Sequence, residues 1–130
     1  MVDARVIRNF AALSVVVQAL LLSASGAFAL SATFAWCPAA SPTFELSDVP
    51  PGTVSLQFAM TDLDKPGFHH GGGTVGYRGQ PRVSCGAFDS GFVGPSPPQG
   101  EVHTYEFTIH ALGTNGAVLA TTTVRRKFPE

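Results

Sequence analysis

Two stretches of this chain alternate apolar and polar residues with a period of two, and that alternation restricts the fold more than any other feature. In Val54–Thr61, the side chains of Val54, Leu56, Phe58 and Met60 fall on one side of an extended chain, with Ser55, Gln57 and Thr61 on the other. In His103–Leu112, Tyr105, Phe107, Ile109 and Ala111 share a side, opposite Thr104, Glu106, Thr108 and His110. Successive side chains of a strand point to opposite faces, so each stretch reads as a strand with one face in the core. A helix needs apolar spacing near 3.6, which neither stretch has. Pro50-Pro51-Gly52-Thr53 introduces the first strand as a turn. Thr114-Asn115-Gly116 follows the second, and Asn-Gly between two such runs signals a hairpin. The returning strand is Ala117–Val124, where Thr121, Thr122 and Thr123 suit extended backbone.

Between these strands, Pro66–Gly100 is rich in glycine and proline and holds one short strand candidate, Thr74–Tyr77. Gly71-Gly72-Gly73 and Gly94-Pro95-Ser96-Pro97-Pro98 read as loop. Short strands joined by turns, with no helical pattern between them, predict an all-β, two-sheet sandwich.

The N-terminus reads differently. Arg5 and Arg8 precede Phe10–Leu22, which is apolar apart from Ser14 and Gln18, and Ala27-Phe28-Ala29 has the small-x-small form of a cleavage site. This is the pattern of a secretory signal peptide over residues 1–29, leaving 30–130 as one domain. An uncleaved anchor would have to run through Ser23, Ser25 and Gly26 to reach the length of a span. The expected location is therefore exported, periplasmic or secreted, with no stable membrane span after cleavage. The formal net charge is −1, and Arg125-Arg126-Lys127 is the one basic run, so nucleic acid is not an expected partner. Cys37 and Cys85 both lie in the exported part. In an oxidising compartment they form a candidate disulfide, two free buried thiols being the alternative.

Extending the buried faces by twos leads to chemistry. Beyond Met60 the inward side reaches Asp62 and then Asp64; before Phe107 it reaches Tyr105 and then His103. Buried polar groups are costly unless bonded, so two strands that end in polar residues on the core side predict a cleft where those groups meet each other or a ligand. Turn chemistry is the competing explanation for Asp62-Leu63-Asp64-Lys65-Pro66-Gly67. His69-His70-Gly71-Gly72-Gly73 could cradle an anion on bare N–H groups or serve as a turn. A metal site from His69, His70, His103 and Asp62 is disfavoured, because neighbouring histidines in extended backbone point their rings apart, and no metal is expected. Asp62 with a histidine forms part of a hydrolytic triad, yet no serine lies in a nucleophile elbow and Cys85 has no diagnostic context. The chain reads as non-catalytic, with no cofactor.

In order along the chain, Ser41-Pro42-x-Phe44, Val49-Pro50-x-Gly52-Thr53, Asp62-x-Asp64-x-Pro66, His70-Gly71-Gly72-Gly73, Gly94-Pro95-x-Pro97-Pro98 and His103-x-Tyr105 resemble motifs of the phosphatidylethanolamine-binding proteins, in particular their short bacterial Raf kinase inhibitor-like branch. The resemblance spans residues 41–112. It implies a Greek-key β-sandwich with a small pocket that accepts phosphate, acetate or a phospholipid head group. Asp62 and His103 would be central to that pocket, with Asp64, His70 and Tyr105 beside them and Gly94 and Pro95 on its rim. Donors for phosphate and a carboxylate for an amine suit a zwitterionic head group. Three departures bear on strength: Leu63 stands in place of a usual proline, Thr104 in place of an arginine and Ser96 in place of a cysteine. Kinase inhibition is not carried over. The expected function is an exported module that binds a small phosphorylated or carboxylate ligand. The alternative is an interaction module that inhibits a protease or signalling partner through its loops, with that protein partner unidentified.

Overall fold

The structure, a computed structural model, describes residues 29–130. The expected signal segment lies outside these residues, except for Ala29 at its end. Seven strands carry the chain: β1 (Ser31–Cys37), β2 (Ala40–Ser47), β3 (Ser55–Asp62), β4 (Gly72–Gly76), β5 (Arg82–Val83), β6 (His103–Leu112) and β7 (Val118–Phe128). They form a three-stranded sheet, β1-β2-β5, and a four-stranded sheet, β4-β3-β6-β7, with every pairing antiparallel. Among the described residues there is no α-helix, and no helix long and apolar enough to cross a membrane. The protein is all-β with two packed sheets.

The alternation read from the sequence forms the core side of the larger sheet. Leu56, Phe58 and Met60 of β3 are buried, as are Tyr105, Phe107, Ile109 and Ala111 of β6. Phe58 pairs with Ile109 and Met60 with Phe107 across the two strands. From the smaller sheet, Phe34 and Phe44 reach across, with ring centroids 5.1 and 5.0 Å from Phe107, and Phe44 lies 4.6 Å from Phe58. Such edge and tilted contacts are the favoured geometry of aromatic pairs. Two polar contacts join the sheets along one side: Trp36 Nε1–H donates to the Lys127 carbonyl at 2.9 Å, and Arg126 donates to the Phe34 carbonyl at 2.7 Å.

The structure corrects several sequence expectations. Val54 precedes β3 and is 46% exposed, because its N–H and C=O bond Leu112 and Tyr77 as the chain enters the sheet. The strand after Asn115-Gly116 runs on to Phe128, four residues past Val124, and Asn115 and Gly116 take positive φ in a 3₁₀ turn. Gly72 and Gly73 are strand, not loop. They pair with Ala59 and Phe58 at an edge where the neighbouring atoms come so close that side chains would not fit. A Cβ on Gly72 would lie 1.7 Å from the Phe58 carbonyl oxygen, and one on Gly73 would lie 2.7 Å from the Phe88 side chain. These glycines serve close packing.

Cys37 and Cys85 form a disulfide, with Cα atoms 5.9 Å apart. That spacing lies in the ordinary range for a bridge. It ties the tip of the β1–β2 hairpin to the chain just after β5. The same corner is held by Gly86 N–H on the Ser41 carbonyl (2.9 Å) and Phe88 N–H on Ser41 Oγ (3.2 Å).

Two stability predictions follow from this packing. Replacing both cysteines by alanine should cost about 2–4 kcal/mol, read as a lower urea midpoint. Gly72→Ala should cost on the order of 2 kcal/mol or more through overpacking. Gly67→Ala, where a Cβ meets nothing within 4 Å, should change the midpoint little; equal effects at both glycines would contradict the packing assignment.

Candidate functional site

The inward stripes of β3 and β6 both end in ionisable groups, and their antiparallel register brings those ends together: Asp62 lies opposite Tyr105, two residues from His103. Asp62 is 3% exposed, His103 8% and Tyr105 0%. Three ionisable side chains are thus withdrawn from water at one end of the sandwich, where each has to be satisfied or explained.

Asp62 accepts on both of its oxygens. Its Oδ1 accepts the N–H groups of Asp64 (2.9 Å) and Lys65 (3.2 Å), building the turn that ends β3. Its Oδ2 accepts from His103 Nδ1–H at 2.6 Å. Burial alone would push this carboxyl up, but the His103 bond, the two backbone N–H groups and the positive imidazole hold it below the usual carboxylate value. Both the turn reading and the cluster reading of Asp62 therefore hold at once, one on each oxygen.

His103 donates a second time, from Nε2–H to Glu101 Oε2 at 2.7 Å. A neutral imidazole has one N–H, so a ring that donates to two carboxylates is an imidazolium. The bonds to Asp62 and Glu101 raise its pKa above 6.5, against the opposing effect of partial burial. Glu101 was not among the residues singled out from the sequence. It lies two residues before His103, between the turn at Pro98–Gly100 and the start of β6.

Tyr105 is the exception in the cluster. Its hydroxyl is buried and has no hydrogen-bond partner. The Asp62 carboxylate and the Ser96 backbone come near enough to influence its ionisation, but neither completes a hydrogen bond with it. Burial, followed by the negative charge of Asp62, pushes the phenol up to about 12, so it is a donor throughout the physiological range.

The remaining expected residues take up separate positions. Asp64 is exposed and accepts the Thr104 N–H at 2.7 Å, clamping the start of β6 to the turn after β3. His70 is buried, and its Nδ1–H donates to the Val93 carbonyl at 2.8 Å while its own carbonyl accepts the Val93 N–H at 2.8 Å. Because a carbonyl only accepts, Nδ1 carries a proton. The His70 ring meets Tyr105 edge-on at 5.4 Å and so joins the cluster through the phenol. Gly94 and Pro95 lie on the loop that His70 anchors and line a cavity of about 860 Å³, together with Trp36, Phe88, Phe92 and Phe128. A second cavity, of about 580 Å³, opens beside His70 and Gly71–Gly73. Neither cavity is lined by Asp62, His103 or Tyr105.

Oxygen and nitrogen atoms of Asp62, Asp64 and His103 lie within 4.8 Å of one another, near enough to share a cation. The hydrogen bonds above already engage them, and an imidazole that donates from both nitrogens has no lone pair for a metal. His69 is exposed and takes no part.

The chain matches no protein-family model and no curated protein. The site is therefore interpreted from its own residues.

The pair's pH dependence has a definite sign. His103, raised above 6.5, contributes fully below that value and loses its contribution as pH rises through its folded pKa. Asp62, lowered from 3.8, contributes above that value and loses its contribution as pH falls through its folded pKa. The stability gap between wild type and His103→Gln should be widest between pH 3.8 and 6.5 and narrow on both sides, as followed by urea midpoints. A gap independent of pH would contradict the pairing.

Proposed function

We propose that this chain is an exported, non-catalytic binding protein of the phosphatidylethanolamine-binding type, a Greek-key sandwich whose charged cluster at the β3–β6 end receives a small zwitterionic or phosphorylated ligand. The observation that carries the reading is the orphaned Tyr105 hydroxyl. A buried donor without a partner costs about 1–3 kcal/mol, and a ligand oxygen that accepts from it would remove that cost on binding. The surrounding carboxylates of Asp62, Asp64 and Glu101 outnumber the one imidazolium. They favour a ligand that brings an amine along with its phosphate.

Other features support the same reading. The chain changes sheets between β2 and β3, β4 and β5, and β5 and β6, which is compatible with a Greek-key path. The disulfide is in keeping with an oxidising compartment outside the cytoplasm. Both nitrogens of His103 are bound to carboxylates, which leaves neither free to take a proton from a nucleophile. With Thr104 beside the site in place of an arginine, affinity for a simple anion is expected to be modest.

Tyr105→Phe tests the reading, because it removes one oxygen atom and no packing volume. Phosphoethanolamine added to wild type should shift the imidazole NMR signals of His70 and His103 together. In Tyr105→Phe those shifts should disappear, while the urea midpoint stays equal or rises, since the lost hydroxyl had no partner. Undiminished ligand shifts in the variant would remove Tyr105, and with it this reading of the site.

A further inference from the structure

We propose that Glu101 is an internal occupant of the ligand site, its carboxylate holding the outer nitrogen of His103 in the position that a ligand's phosphate or carboxylate oxygen would take. The inference rests on the binding function proposed above and adds a residue that sets its selectivity. His103 Nδ1–H is committed to Asp62, whose side chain is 5% exposed, whereas Nε2–H is committed to Glu101, whose side chain is 57% exposed. Of the two carboxylates on the ring, the inner one is built into the fold and the outer one faces water.

The backbone allows Glu101 to leave. It follows the turn at Pro98–Gly100, closed by the Glu101 N–H on the Pro98 carbonyl at 3.0 Å, and Gly100 takes a positive φ of 84°. Glu101 lies outside β6, so no ladder pairing fixes it. Val102, between Glu101 and His103, is 56% exposed and adds no packing that would hold the segment down. Asp62, by contrast, is held through both oxygens. An incoming oxygen would exchange with Glu101, receiving the same N–H from the same imidazolium, and it would have to outcompete a tethered carboxylate to do so.

This exchange has a consequence for ligand choice. Before displacement, Glu101 repels an anion; once swung aside, it remains close enough to receive a ligand's ammonium. A ligand that carries both phosphate and amine takes the His103 N–H and sets its ammonium against Glu101, whereas inorganic phosphate gains the N–H alone. The tether thereby raises the threshold for simple anions more than for a zwitterion.

The test is calorimetric titration of wild type, Glu101→Gln and Glu101→Ala with phosphoethanolamine and with inorganic phosphate. The expected result is inorganic phosphate binding about 3- to 10-fold tighter in both variants, equal to about 0.7–1.4 kcal/mol, with a smaller gain for phosphoethanolamine. Glu101→Gln keeps the side-chain length and an acceptor oxygen, so it decides the matter should the alanine variant fold poorly. If wild type binds phosphoethanolamine and neither variant binds phosphate more tightly, Glu101 is not an occupant and the binding reading stands alone. If no form binds either probe, the binding reading fails and this inference fails with it.

Discussion

The 2.6 Å bond from His103 to Asp62 organises one whole end of the sandwich. It joins the last residue of β3 to the first of β6, the two central strands of the larger sheet, and neutralises two ionisable groups that both lie under the surface. Breaking one partner of a buried pair is far costlier than the pair's net contribution, since the survivor is left charged without compensation. The turn after β3 depends on the same carboxylate through the Asp64 and Lys65 amides, and the start of β6 is clamped to that turn through Asp64. The turn and the charge balance at this end therefore both depend on one side chain.

Around this pair the aromatic core supplies stability and leaves this end polar. Phe34, Phe44, Phe58 and Phe107 close the space between the sheets, and Trp36 and Tyr105 continue the cluster toward the charged end at 5.6 Å. Tyr105 thus has an apolar ring in the core and a polar tip at the charged cluster, which is how an aromatic side chain places a hydroxyl at the boundary between the two. The tip lacks a partner although Asp62, which accepts from His103 and the turn amides, is close by.

Much of the larger sheet was legible because β3 and β6 each bury one face and expose the other, so period two survives in the residues themselves. Asp62, His103 and Tyr105 came from the same count. The smaller sheet was not read at all. In β1 the register shifts between Ala35 and Cys37, and only Phe34 is fully buried, so no stripe forms. In β2, Pro42 argues against a central strand, and it is accommodated where the pairing with β1 shifts register, while β5 has two residues. Gly72 and Gly73 carry no side chain and so leave no periodic trace. Glu101 was passed over because an exposed acid in a glycine-proline segment looks like a solvated loop residue; what singles it out is a bond across two positions that only the folded backbone displays.

The account turns on whether the Tyr105 hydroxyl is a ligand donor. The most direct measurement is a crystal structure of the protein grown with phosphoethanolamine. The account predicts a phosphate oxygen about 2.7 Å from Tyr105 Oη, with the Glu101 carboxylate moved off His103 Nε2. A phosphoethanolamine bound elsewhere, with Tyr105 Oη unpartnered and Glu101 still on His103, would contradict it.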